Sequence, residues 1–197
     1  MMNSRASIIF AAVRTFAEDS FAAPQSEQKF DLIERVFVMA SPIGVEHEDL
    51  MMLLGTLMCS VVAARRLGLA FEPNVAYRLS ETNVYQPDIS FFGVERWHRV
   101  GEAYVDGAAD LAVEIVSPSS RQSDLGRFGA EEHRPIDPIE RTVTLYVNGE
   151  MTMSPPEEGA LRSRVLPGFG LRPKWIFPSE SVERQSEPEI AWQQGLV

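Results

Sequence analysis

The 197-residue chain is short of cysteine, of lysine and of long apolar runs, and each shortage excludes something. One cysteine, Cys59, cannot build a disulfide framework or a cysteine-rich zinc site. Set in an apolar helical pattern, it reads as a buried thiol in a reducing, cytoplasmic setting. Of the 18 basic residues all but Lys29 and Lys174 are arginine, and 28 acids bring the formal charge to -10. That balance argues against a protein that coats nucleic acid, because phosphate binding draws its affinity from Lys and Arg. It leaves room for a local basic strip of arginines, whose fixed, fork-shaped charge suits phosphate clamps. The longest apolar run, Leu50 to Ala64, is broken by Gly55, Thr56 and Ser60. As a helix it would rise only about 22 Å, short of a bilayer core, so no membrane role is expected. The stretch "RASIIFAAVRTFAEDSFAA" is interrupted by Arg14 and followed by acids, unlike a signal peptide; residues 1–28 read as an amphipathic helix or a tail.

What is present is ordinary for one well-filled globular domain, 45% hydrophobic and 23% charged residues, and the order of its strands and helices makes it α/β. "KFDLIERVFVMASP" alternates as a first strand pair ended by Pro42. "GVEHEDLMMLLGTLMCSVVAARRLG" carries Glu46, Glu48 and Asp49 in its first turn and Arg65 and Arg66 in its last, so both ends complement a helix dipole, and Gly68 marks a stop. Its apolar centre implies burial on most sides against a sheet, with Met51, Met52 and Met58 as packing residues. "AFEPNVAYRL", "VYQPDISFFG" and "LAVEIV" each read as a strand, and "VERWHRVGEAYVDGAAD" as a surface connection in which Trp97, His98 and Arg99 form a solvated cluster. Ser119 followed by Gln122 forms a capping box that opens a helix, "SSRQSDLGR". Asn148-Gly149 between "RTVTLYV" and "EMTMS" is the strongest hairpin signal. Beyond that, "LRSRVLPGFGLRPKWIFP" gives one extended piece and a turn, and 179–197 a polar tail.

Two carboxylates stand out. Period-two alternation puts Gln86, Asp88 and Ser90 on one face of their strand, and Glu114 interrupts an otherwise apolar one. An unpaired buried carboxylate is costly, so Glu114 needs a cation or a donor. Taken singly, Asp88 also reads as a turn residue after proline and Glu114 as an edge-strand acid paired with an arginine. If the two strands are neighbours, the acids converge near one sheet end, where they repel unless a cation is shared. A hard divalent ion, magnesium first and manganese as its substitute, is the usual solution.

The segments "QPDISF", "YVDGAADLAVEIVSPSSRQSDLGR" and "IDPIERTVTLYV", with "KFDLIERVFVMASP", the "EH" of the long helix and "SRVLPGFGL", resemble the Uma-two family of restriction-endonuclease-like proteins, a branch of the PD-(D/E)xK nuclease superfamily. The resemblance spans roughly Lys29 to Pro178 and implies a nuclease-like domain over 29–178 with a mixed central β-sheet flanked by helices. It implies a magnesium-dependent endonuclease acting on DNA, with a homodimer by analogy. Asp88 matches the motif aspartate and Glu114 the second acid. Both would hold the metal with the Ile115 backbone carbonyl, and the ion would acidify the attacking water and steady charge on the phosphate oxygens. Gln86 and His47 match frequent neighbours, and Asp124 an aspartate of the following helix.

Three departures accompany the match. Val116 stands where the superfamily places its lysine, two residues after the second acid. The family's alternative lysine, about one turn after an aspartate resembling Asp124, would lie in a stretch of about two helical turns that this chain lacks between Arg127 and Phe128. Arg127 or Arg121 then becomes the candidate source of charge, and "EHRPIDP" replaces an aromatic strand with residues that weaken it. Glu34-Arg35-Val36 stands where the family has an acidic, glycine-containing turn followed by glutamate. The alternative function is therefore a catalytically inactive nuclease-fold protein with a binding or regulatory role.

Overall fold

Alternating apolar residues and a few turn formers arrange most of the chain into strands. The computed structural model describes residues 29–39, 43–117, 129–154 and 159–177. The expected N-terminal helix or tail, the Ser119 capping box with its helix, and the C-terminal tail lie outside them.

Strands β1 (Phe30–Ile33) and β2 (Val36–Met39) form the expected antiparallel pair. Helix α1 (Val45–Arg65) follows, and its chain leaves through Arg66 in the left-handed conformation, two residues before Gly68. Then come β3 (Gly68–Phe71), β4 (Tyr77–Ser80), β5 (Asn83–Tyr85), β6 (Ile89–Gly93), a 3₁₀ turn (Val94–Arg99) and β7 (Val105–Asp106). The chain continues with β8 (Leu111–Ile115), β9 (Glu132–Asp137), β10 (Thr142–Val147), β11 (Glu150–Ser154), β12 (Leu161–Arg162), β13 (Gly170–Leu171) and α2 (Pro173–Ile176).

A six-stranded mixed sheet, β11-β10-β9-β8-β6-β3, carries the core; a five-stranded sheet, β2-β1-β5-β4-β7, and the ribbon β12-β13 complete the strands. Ile89, Phe91, Leu111, Val113, Ile115, Ile136 and Val143 present one face of the large sheet to Leu50, Leu54, Met58, Val61 and Val62 of α1. Phe169 and the apolar side of α2 close the same core. On the other face Phe92 packs with Tyr77, Val105 and Ala109, and the Tyr77 hydroxyl meets Ser90 Oγ at 2.8 Å. Strand β8 is buried on both faces, so Glu114 is an interior carboxylate and not an edge one. Gly68 is needed where β3 meets β6, since a Cβ there would stand 2.1 Å from the Phe92 carbonyl oxygen.

Several expectations are corrected. "VYQPDISFFG" is two strands in two sheets, because Pro87 has no N–H for a ladder and side-chain carboxylates take the neighbouring N–H groups. "AFEPNVAYRL" likewise divides into β3 and β4, and the surface connection contains the 3₁₀ turn and β7. Helix α1 is buried along one stripe only: Met52 is 58% exposed, and Cys59, off that stripe, is exposed instead of buried. "EHRPID" is a full central strand. Its ladder with β10 holds at Glu132, His133, Ile136 and Asp137 and lapses at Arg134 and Pro135, so the missing proline N–H costs one local gap. Asn148 and Gly149 both have positive φ, 50° and 84°, the conformation a two-residue hairpin turn requires.

Candidate active site

The break between β5 and β6 is what exposes one carboxylate to another. Strand β6 pairs antiparallel with β8, Ile89 opposite Val113, which brings Asp88 to the end of β8 where Glu114 and Ile115 lie. The two segments lock reciprocally: Asp88 N–H donates to Glu114 Oε1 at 3.0 Å, and Ile115 N–H donates to Asp88 Oδ2 at 2.9 Å. The second bond turns the peptide edge of Ile115, and with it the carbonyl, toward Asp88.

Lys29, immediately before β1, enters the same point. Its Nζ is 2.7 Å from Asp88 Oδ1 and 3.8 Å from Glu114 Oε2. His47, in the first turn of α1, places Nε2 3.3 Å from Asp88 Oδ2, while its buried Nδ1 has no hydrogen-bond partner among the described residues. Gln86 does not point at the acids. Its Oε1 accepts from Phe30 N–H at 2.9 Å while its own N–H donates to Asp31 Oδ1 at 2.9 Å, a two-bond clamp that holds the start of β1 beside the break. Asp124 and Arg127, and with them Arg121, lie outside the described residues.

The electrostatics follow from burial and count. Burial works against an ionised Asp88, but the His47 hydrogen bond and the Lys29 charge hold its carboxyl below the usual range. Burial and then the neighbouring Asp88 charge push Glu114 well above that range, with Lys29 only partly opposing them. Burial also works against the Lys29 ammonium, and the charges of Glu114 and Asp88 outweigh it, raising its pKa. Two buried carboxylates, with Asp31 close enough to act on both Lys29 and Glu114, therefore face one lysine and one histidine.

That donor set fits a small hard cation. Among the described residues no group of three or more His, Cys, Asp or Glu is placed to hold an ion. Two carboxylates and a carbonyl are nevertheless the protein share typical of magnesium, the remaining positions falling to water and phosphate oxygens. The raised Glu114 is what such an ion would relieve.

Lys29 is the residue that sequence reasoning passed over. It only opens the segment "KFDLIERVFVMASP" without being one of the matched acids, and its partner Asp88 is 59 residues away. The available signals were the scarcity of lysine and the position of Lys29 directly before the first strand.

A mixed β-sheet with helical cover and paired acids at one sheet end defines a restriction-endonuclease-like α/β fold. The chain belongs to the Uma2 family, described as "Putative restriction endonuclease", whose model matches residues 17–174. Among solved structures it is similar to "a putative nuclease belonging to DUF820 from Anabaena variabilis ATCC 29413". The TM-score is 0.69 and the identity 22%, with 81% of this chain and 96% of that chain covered, a likeness of fold. No curated protein matches.

Proposed function

We propose that this protein is a metal-dependent endonuclease that hydrolyses DNA phosphodiester bonds at the Asp88–Glu114 site. The observation that carries the reading is the convergence of two nearly buried carboxylates from separate β segments on one point, where among the described residues only Lys29 and His47 face them. Asp88, Glu114 and the Ile115 carbonyl would hold magnesium or manganese, which when bound supplies Lewis acidity to water and to the scissile phosphate. The chain's own residues do the rest. His47 and Ile115 N–H fix the Asp88 carboxylate, Asp88 N–H fixes Glu114, and the Gln86 clamp keeps β1 against them.

The test is nicking of supercoiled plasmid with magnesium or manganese, compared with Asp88→Ala and Glu114→Ala. Each change should cost about 10²–10³-fold, the scale of losing one electrostatic stabiliser at a reacting centre. Cleavage that persists at the wild-type rate in both removes the assignment. A second reading, a nuclease-fold protein that binds without cutting, draws on one feature: the Asp88 oxygens already accept from Lys29, Ile115 and His47. It requires that manganese bind no more tightly to wild type than to the Asp88→Ala protein.

A further inference from the structure

We propose that Lys29 supplies the cation that the nuclease motif ordinarily carries two residues beyond its second acid, and that it contacts the scissile phosphate; this rests on the nuclease reading above. The motif position holds Val116, which cannot carry charge. Val116 N–H still bonds to the Ile136 carbonyl at 2.8 Å, so the strand geometry continues past Ile115 and keeps Val116 on the face of Glu114. A charge at that point has to come from another element. The chain has only one other lysine, Lys174, which stands on α2, while Arg121 and Arg127 lie outside the described residues. Lys29 Nζ lies within 4 Å of both acids, the distance at which one ammonium serves both.

The placement of Lys29 is built, not incidental. The chain directly after Lys29 is anchored to the site by the Phe30–Gln86 and Asp31–Gln86 hydrogen bonds, and β1 is paired further along to β5, Leu32 opposite Val84. These contacts fix the backbone one residue from Lys29 and leave its side chain partly exposed, at 19%. Lysine, a compact charge on a flexible stem, can leave Asp88 for a phosphate oxygen as an ion takes its place between the acids.

The reaction balances without a proton from this residue. The attacking water gives up a proton to solvent, and its oxygen forms a bond to phosphorus as the ester P–O bond breaks. The leaving oxygen keeps the electron pair and takes a proton from solvent. Lys29 stays an ammonium throughout and offsets the charge that grows on the non-bridging oxygens. Gln86 is a positioning residue here, acting through β1.

The experiment compares wild type, Lys29→Met, Lys29→Arg and the two double variants that add Val116→Lys to each, in plasmid nicking, with manganese binding measured by calorimetry on each. Lys29→Met should lose about 10²–10³-fold in cleavage. It should bind manganese at least as tightly as wild type, because a neighbouring positive charge is gone. Val116→Lys should return much of the lost activity by restoring the motif position. Should Lys29→Met not fold, Lys29→Arg carries the test. It keeps the charge but presents a planar fork, so it should also fall below wild type and be rescued by Val116→Lys. Wild-type cleavage in Lys29→Met or Lys29→Arg overturns the assignment and leaves the nuclease intact. So does a loss that tracks lost manganese binding and is not rescued, which marks Lys29 as a structural counter-ion. A wild-type protein that cuts no DNA with either metal fails the nuclease reading itself, and Lys29 with it.

Discussion

At the scale of single residues, the informative group is Glu114. A carboxyl raised by burial and by the Asp88 charge holds its proton at pH values where an ordinary glutamate has lost it. A hard ion binds the ionised form, so below that raised pKa binding must expel a proton. Manganese affinity should therefore rise with pH, by up to about tenfold per unit while one proton is displaced, and level off once Glu114 is ionised without the metal. Calorimetry in buffers of different ionisation heat reads the released proton directly. In Glu114→Gln the rise tied to this group should vanish; an unchanged slope would assign the proton elsewhere. Residue identity alone revealed the two acids, because a carboxylate inside "LAVEIV" is costly wherever it is buried. It did not reveal Lys29. A lysine at a coil–strand boundary has no periodicity to betray its direction, and only the pairing of β1 with β5 brings it to Asp88. Nor did it reveal that Gln86 faces the backbone of Phe30, since alternation stops having meaning where Pro87 interrupts the strand.

At the scale of elements, legibility tracked how local the forces are. The first strand pair, the dipole-matched helix and the Asn148-Gly149 hairpin are written in neighbouring residues and stand where the pattern puts them. Strand β9 is not so written. "EHRPID" has three charges, a histidine and a proline, and forms because tertiary partners satisfy it. Glu132 and Arg134 are fully buried, 2.6 Å apart from carboxylate oxygen to Nε. Glu132 Oε2 also accepts from Ser163 Oγ and Arg164 N–H, and Arg134 Nη1 donates to the Leu161 carbonyl. The pair thus ties the segment around β12 to the central sheet. Glu132→Ala would leave a buried guanidinium unmatched, at a cost of about 3–5 kcal/mol, whereas an apolar replacement of both partners is far milder. Thermal unfolding should show a midpoint roughly 10 °C lower for Glu132→Ala, with much of the loss recovered in Glu132→Leu/Arg134→Met. A double variant as unstable as the single one would mean that the pair matters for its links to Ser163 and Arg164 more than for its charge.

At the scale of the whole molecule, charge decides how a substrate can be held. A net -10 opposes a polyphosphate chain, and several described arginines are matched already: Arg78 by Asp106, Arg96 by Asp110 and Arg134 by Glu132. Without a divalent ion, the phosphate nearest the reacting centre would meet the Asp88 carboxylate, with Asp31 nearby, against Lys29. DNA binding should therefore depend on the ion itself. Fluorescence anisotropy with a duplex in calcium, a hard ion of the same ligand preference, should give an affinity well above that in EDTA. With only a few phosphate contacts the salt response should also be shallow. Three contacts correspond to about a 40-fold loss between 50 and 200 mM salt, against the 10³–10⁵-fold expected for six to ten. On the proposed reading one Asp88–Glu114 site acts on one strand at a time, so a concerted double-strand cut would call for a second copy. Sedimentation of the calcium complex should then show two chains per duplex, and nicked circles should precede linear plasmid at low protein concentration. Tight, steeply salt-dependent binding in EDTA would show instead that a basic surface, independent of the paired acids, holds the nucleic acid.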